Sequence, residues 1–149
     1  IIWATYRHNI ERIVKAIRKK HGSFAVVESF YGGTKDLDRT NIIERFKNPK
    51  SDLQYLVANP KTGGYGLNLT VADTIIYYSN NYDLEVRVQS EDRIHRLGQN
   101  NKCTYIDLQC AGTVDQHIIS NLVSKTKISH KVLNEQYKSW IKELKKNYK

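Results

Sequence analysis

Short apolar runs alternating with segments of helical period set the tightest limit on how this chain can fold. "LQYLVAN", "TIIYYS" and "CTYIDLQC" are nearly continuous apolar runs, not alternating ones. Such runs suit strands buried on both faces. "IIWATY" (Ile1 to Tyr6) and "SFAVVESFYGG" supply two further strands, the second running into a turn. Helical segments fall between them. Ile10, Ile13, Val14 and Ile17 share one helix face, with an end expected near Gly22. Ile42, Ile43 and Phe46 form the apolar face of a helix from about Leu37 to Phe46, with Thr34 or Asp36 as N-cap and Asn48-Pro49 as its stop. A third helix is expected from about Leu84 to Leu97. The alternation predicts an α/β domain of three layers, a mostly parallel sheet with helices on both faces.

Two C-terminal helices complete the pattern. Val114, Ile118, Ile119, Leu122 and Val123 make one amphipathic face. Leu133, Tyr137, Trp140, Ile141 and Leu144 make another within a basic tail. That second stripe is expected to pack on the domain or on another lobe. The division expected is a body at 1–124 and a basic helical extension at 125–149.

At 149 residues the chain is one domain or a piece of something larger, and its start inside a core strand favours a piece. No apolar run approaches the ~20 residues of a membrane span, and the first residues show no secretory pattern. Cys103 and Cys110 have an odd spacing within one strand-like stretch, which directs them to opposite faces. Two buried thiols in a reducing cytoplasm, nucleoid or nucleus is the simplest expectation. The net charge of +9 suggests a polyanion, but eight Lys against two Glu from Lys125 to Lys149 account for +6 of it. The body is only mildly basic.

Three stretches carry chemistry or imitate it. In "TGGYGLNLT", Gly63, Gly64 and Gly66 lie between a strand and an expected short helix, at the carboxyl end of that strand, where such sheets bind ligands. Glycines there let backbone amides approach a phosphate, although alone they suit a ligand-free tight turn better. "GGTK" at Gly32 to Lys35 lacks the order and spacing of a phosphate-binding loop. Glu91 and Asp92 lie within a helix, not at a strand end where a magnesium-holding pair belongs. His8, His21, His117 and His130 have no ligand spacing, so no metal site is expected. "QSEDRIHRLGQ" places Arg93 and Arg96 three apart on the expected helix, with Gln89 one turn earlier on the same face and Ile94 and Leu97 on another. A planar guanidinium suits phosphate oxygens. By spacing alone, a solvated helix neutralised by Glu91 and Asp92 serves equally well.

The combination "GGYGLNLT", strand, "QSEDRIHRLGQ" resembles the fifth and sixth motifs of superfamily-two helicase-related ATPases, and more narrowly the SWI/SNF family of DNA translocases. The pattern Q-x-x-x-R-x-H-R-x-G-Q is specific to that family; DEAD-box RNA helicases close the same stretch H-R-x-G-R. "YGGTKDLDRTNIIERF" resembles an earlier family motif through Gly32, Arg39 and Phe46. Pro60 and "NNYD" (Asn80 to Asp83) depart from the commonest family pattern.

The resemblance implies a RecA-like fold and the second of two motor lobes. It implies ATP and Mg2+ held mainly by a first lobe with the phosphate loop and acidic pair, and duplex DNA as the other partner. By itself such a lobe is expected to be a monomer without hydrolase activity. Arg93 and Arg96 match the catalytic arginine fingers, which should stand exposed and free of internal carboxylates. Gly64, Gly66, Asn68 and Gln89 match nucleotide-binding positions. Lys61 and Thr62 match DNA-binding ones. The alternative is a non-catalytic nucleic-acid or protein-binding module on the same fold.

Overall fold

One five-stranded sheet in the order β2-β3-β1-β4-β5 forms the middle of the domain, and each neighbouring pair in it is parallel. The structure, a computed structural model, describes residues 1–147 apart from 23, 25 and 63–66, and their side chains apart from 130 and 132–147. The strands are β1 (Ile2–Trp3), β2 (Val27–Phe30), β3 (Tyr55–Ala58), β4 (Thr74–Tyr77) and β5 (Thr104–Asp107). The helices are α1 (Arg7–His21), α2 (Asp36–Lys47), α3 (Leu84–Glu91) and α4 (Val114–Asn147). The expected α/β architecture is present, and the sheet is parallel throughout.

Strand order and handedness decide where everything else lies. The step from β1 to β2 passes β3 in one direction; each later step runs the other way. Right-handed crossovers then place α1 on one face and the later connections on the opposite face. The two cores agree. Ala4, Ile10, Val14, Val27 and Val57 form one cluster beneath α1. Trp3, Ile42, Phe46, Leu56, Ile75 and Tyr77 form the other, joined by Leu69 and Ile94 from the later connections.

Local signals explain most helix ends. α1 stops at Gly22, whose φ of 66° is the left-handed conformation that glycine adopts easily. Its N–H donates to the Arg18 carbonyl at 2.9 Å. Arg18, Lys19, Lys20 and His21 sit in the last turn, where positive charge suits the helix dipole. α2 begins one residue before the expected Leu37. Its N-cap position is Lys35, without a side-chain cap, instead of Thr34 or Asp36. Thr34 is otherwise engaged, since its Oγ1 accepts from the Tyr31 N–H at 3.1 Å.

Several expected elements change. The strands are shorter than the apolar runs. No helix follows the Gly-rich stretch; residues 67–73 return to β4 as coil and a turn. α3 ends at Glu91, not Leu97. One continuous 34-residue helix, α4, replaces the two expected C-terminal helices. It buries Ile118 and Leu122 but leaves Val114 and Val123 exposed. The stripe from Leu133 to Leu144 lies outside the described side chains. Cys103 is half-buried and Cys110 exposed, so the expectation of two buried thiols fails. The strand stops at Asp107 and leaves Cys110 in the following loop.

Arg87 fastens α3 to the sheet. Its guanidinium donates to both Asp107 carboxylate oxygens, to Glu91, and to Asn80 Oδ1 at 3.0 Å. It also lies 3.5 Å from the centroid of the Tyr77 ring. Burial alone would lower its pKa; its hydrogen bonds to the Asp107 and Glu91 carboxylates outweigh that, and the net direction is upward. Arg87→Met is expected to destabilise the fold by about 3 kcal/mol, the low end for breaking a buried ion pair, because the Arg87 side chain keeps some solvent contact. Urea unfolding of the two proteins checks this; a loss below about 1 kcal/mol, as for surface pairs, would show that Arg87 does not hold α3.

Candidate active site

The two arginines of "QSEDRIHRLGQ" are not helical neighbours. After Glu91 the chain leaves α3 and residues 92–98 form turns. The cause lies in the crossover from β3 to β4. The Leu69 N–H donates to the Arg93 carbonyl at 2.9 Å, so that carbonyl serves another segment instead of continuing a helix. Ile94 and His95 still donate back to the Glu91 carbonyl, at 3.1 and 3.0 Å. Ile94 then drops into the core, fully buried. Gly98 has a φ of 100°, and the Gln99 N–H closes the loop onto the Arg96 carbonyl at 3.0 Å. Ile94 and Leu97, expected on one apolar face, part company: Leu97 is 99% exposed.

This geometry separates the arginines. Arg93 is only 8% exposed, against the expectation that both stand open. Its pKa is lowered, first by burial and then by the like charge of Arg96, with Asp92 partly offsetting both. Arg96 is exposed. Among the described residues, Arg96 takes part in no ion pair. An open groove of about 860 Å³ borders it, lined by Glu91, His95, Arg96, Gln99, Cys103 and Tyr105. The Tyr105 phenol is pushed up to about 12, by burial first and then by Cys103 and Glu91. It therefore stays a proton donor at neutral pH. Guanidinium groups pair best with phosphate oxygens, which their planar fork meets two at a time. Among the described residues no group of three or more His, Cys, Asp or Glu could hold a metal ion.

The other expected site residues scatter. Lys61 is exposed and Thr62 half-buried, in a turn directly beyond the carboxyl end of β3. Asn59 builds that turn: its Oδ1 accepts from the Lys61 N–H at 2.9 Å, and its carbonyl accepts from the Thr62 N–H at 3.1 Å. Gly64 and Gly66 lie outside the described residues. Asn68 accepts from the Thr70 N–H at 3.1 Å, beside the Leu69 that bonds the arginine turn. Gln89 remains on α3 and donates to Glu85 Oε1 at 2.9 Å. The crossover therefore has Lys61 and Thr62 at one end and the arginine turn at the other.

Residues 1–98 match the helicase conserved C-terminal domain family. The chain belongs to that family. It is similar to the human "Chromatin-remodeling ATPase INO80", 34% identical over 103 residues that cover 69% of this chain and 7% of that protein. It is 32% identical over 102 residues to the "SWI/SNF chromatin-remodeling complex subunit snf22" of Schizosaccharomyces pombe, covering 68% of this chain and 6% of that one. The chain thus spans less than a tenth of the length of these relatives. Among solved structures, the C-terminal part of the Fun30 ATPase domain aligns with a TM-score of 0.72 at 22% identity, covering 81% of this chain and 38% of that one. That likeness bears on the fold, which is the RecA-like α/β architecture. The expected family resemblance, to the C-terminal helicase lobe of SWI/SNF-type ATPases, stands.

Sequence reading missed several residues that shape this helicase lobe. Asp83 caps α3, accepting from Glu85 and Val86 N–H at 3.1 and 3.3 Å. It belongs to "NNYD", the stretch that departs from the family pattern. An Asp before an apolar-spaced run was a readable cap signal. Arg87 and Glu91 at helical spacing were also readable as a pair, but Asp107 was hidden inside an apolar strand. Arg39 donates to the Gly32 carbonyl at 3.3 Å, which joins two residues of the earlier motif.

Ile94 is the plug that seats the arginine turn. Ile94→Ala is expected to cost about 2–4 kcal/mol of stability, from lost burial and the cavity left behind. It should also speed amide exchange at Leu69, whose N–H bonds the neighbouring Arg93 carbonyl. Thermal unfolding with residue-resolved hydrogen exchange tests both; unchanged protection at Leu69 would separate the plug from the clasp.

Proposed function

We propose that this helicase C-terminal lobe is the second motor lobe of a DNA-stimulated ATPase that translocates along duplex DNA. In that role it completes a site whose phosphate loop lies on a first lobe, and it is inactive alone. Arg93 and Arg96 serve as arginine fingers. Gly64, Gly66, Asn68 and Gln89 are its nucleotide-binding residues. Lys61 and Thr62 meet the DNA backbone. A magnesium ion on the first lobe would neutralise charge on the transferring phosphoryl group. The body at 1–124 does this work, and 125–149 is an extension on it. An intracellular, reducing compartment suits two free cysteines. The ATPases named among the relatives support hydrolysis in the full-length protein.

One observation supports the reading most: a turn, not a helix, presents Arg96 to solvent while Arg93 stays shielded. A solvated charged helix has no use for that arrangement. Phosphoryl transfer is catalysed mainly by positioning and by charge stabilisation on the γ-phosphoryl oxygens. A finger acts there by meeting charge that spreads in the transition state.

In a two-lobe protein containing this chain, Arg96→Ala is expected to lower single-turnover hydrolysis by about 10³-fold or more, as fingers do elsewhere. ATP affinity should change far less, since the lost contact forms mainly in the transition state. Arg96→Lys should fail similarly, because a point charge does not reproduce the planar fork. Hydrolysis at the parental rate would make Arg96 an ordinary surface residue. For DNA, binding should be weak, independent of sequence and salt-sensitive, each neutralised phosphate adding about −0.9 to the slope of log K against log salt. Lys61→Ala should reduce that slope by about one. An unchanged slope in a salt titration removes Lys61 from the DNA path.

A further inference from the structure

Gln99 ends the arginine stretch, and the proposed motor gives it no task. Its surroundings are specific. Its Nε2 donates to three backbone carbonyls: Ala72 at 2.8 Å, Thr70 at 3.2 Å and Ile94 at 3.4 Å. Its Oε1 accepts from the Asn101 N–H at 2.9 Å. The amide orientation follows from these partners, because three acceptors converge on the nitrogen and a donor meets the oxygen. Two hydrogens serve three carbonyls, so not all three contacts can have a hydrogen of their own. A side chain placed here must donate strongly and need not accept much.

The position matters as much as the chemistry. Thr70 and Ala72 belong to the returning end of the crossover, just before β4. Ile94 is the buried plug of the arginine turn. The Gln99 backbone N–H holds the Arg96 carbonyl itself. Together with the Leu69–Arg93 bond, Gln99 clasps the turn to the crossover on both sides of Arg96. The other end of that crossover carries Lys61 and Thr62.

We propose that Gln99 is a positioning residue that ties the Arg96 backbone to residues 70–72, and that DNA stimulation of hydrolysis depends on that tie. This rests on the motor reading above. Gln99 touches no reacting atom; it acts through the Arg96 backbone. Its side chain joins residues 70–72 to Ile94, a physical link of the kind that coupling between two sites requires.

The substitutions follow from the donor requirement. Gln99→Glu directs oxygens at three carbonyls and removes the donor. Gln99→Arg keeps donors of similar reach. Gln99→Met keeps the length and loses both hydrogen-bonding functions, and it takes the place of the Glu variant if that one does not fold. Each is made in a two-lobe protein containing this chain, and kcat and KM for ATP are measured with and without duplex DNA. The readout is the ratio of the two kcat values, the DNA stimulation. Loss of folded protein lowers both kcat values by one factor and leaves the ratio alone; a broken coupling lowers the ratio.

Gln99→Glu or Gln99→Met is expected to reduce the stimulation ratio about tenfold, with KM for ATP within about threefold. Gln99→Arg should restore the ratio to within about threefold of the parent. A parental ratio in the Glu or Met variant overturns the inference, as does equal loss in the Glu, Met and Arg variants. Arg96→Ala in the same protein separates the two ideas. If Arg96→Ala hydrolyses ATP normally, the finger assignment falls, and the coupling role that rests on it falls too. If it is inactive while Gln99→Glu keeps full stimulation, only the coupling role falls.

Discussion

Arg87 is where the chain commits α3 to the sheet, and the arginine turn depends on that commitment. A guanidinium bonded to Asp107, Glu91 and Asn80, and stacked against Tyr77, joins the end of β4, the end of β5 and both turns of α3. Tyr77 is fixed in turn by its hydroxyl, 2.7 Å from Ser90 Oγ. Burial raises the pKa of that phenol against the opposing pull of Arg87, so it remains neutral and hydrogen-bonded. The helix cannot slide without breaking several of these contacts together. Its last residue, Glu91, is both an Arg87 partner and the acceptor from which the arginine turn starts.

Topology places the rest within reach. The connections after β2 advance across the sheet in one direction, so handedness lays them over one face. That is how Leu69, from the β3–β4 crossover, and Ile94, from the α3–β5 connection, come to share a core with Trp3 and Ile75. Segments far apart in sequence meet because both plug the same layer. Their backbones then exchange the Leu69–Arg93 bond as a consequence of packing.

Much of this was legible in the residues. Continuous apolar runs gave the parallel sheet, and Ile10, Val14, Ile42 and Phe46 fell on the buried faces their spacing predicts. The helical reading of "QSEDRIHRLGQ" failed for a reason no local pattern contains. Periodicity cannot register that the Arg93 carbonyl will be taken by Leu69, twenty-four residues earlier. The same holds for Gln99, a polar residue beside a glycine that reads as loop until its three acceptors are seen. Asp107 was opaque because an inward carboxylate in a strand makes sense only once Arg87 is placed opposite it.

The arginine turn also has an electrostatic logic that a helix would lack. On a solvated helix face two arginines at i, i+3 repel weakly, because water screens them. Here Arg93 is withdrawn from water, so the charge of Arg96 reaches it through a medium of lower effective dielectric. Asp92 offsets this only in part, since it is itself exposed to solvent. In the motor role proposed above, a phosphate group would offset this like-charge effect as well as attract each arginine. A single arginine offers only the attraction. In that proposed role, two arginines of unequal exposure, each with its backbone carbonyl held by a hydrogen bond, would meet negative charge without first having to reorganise.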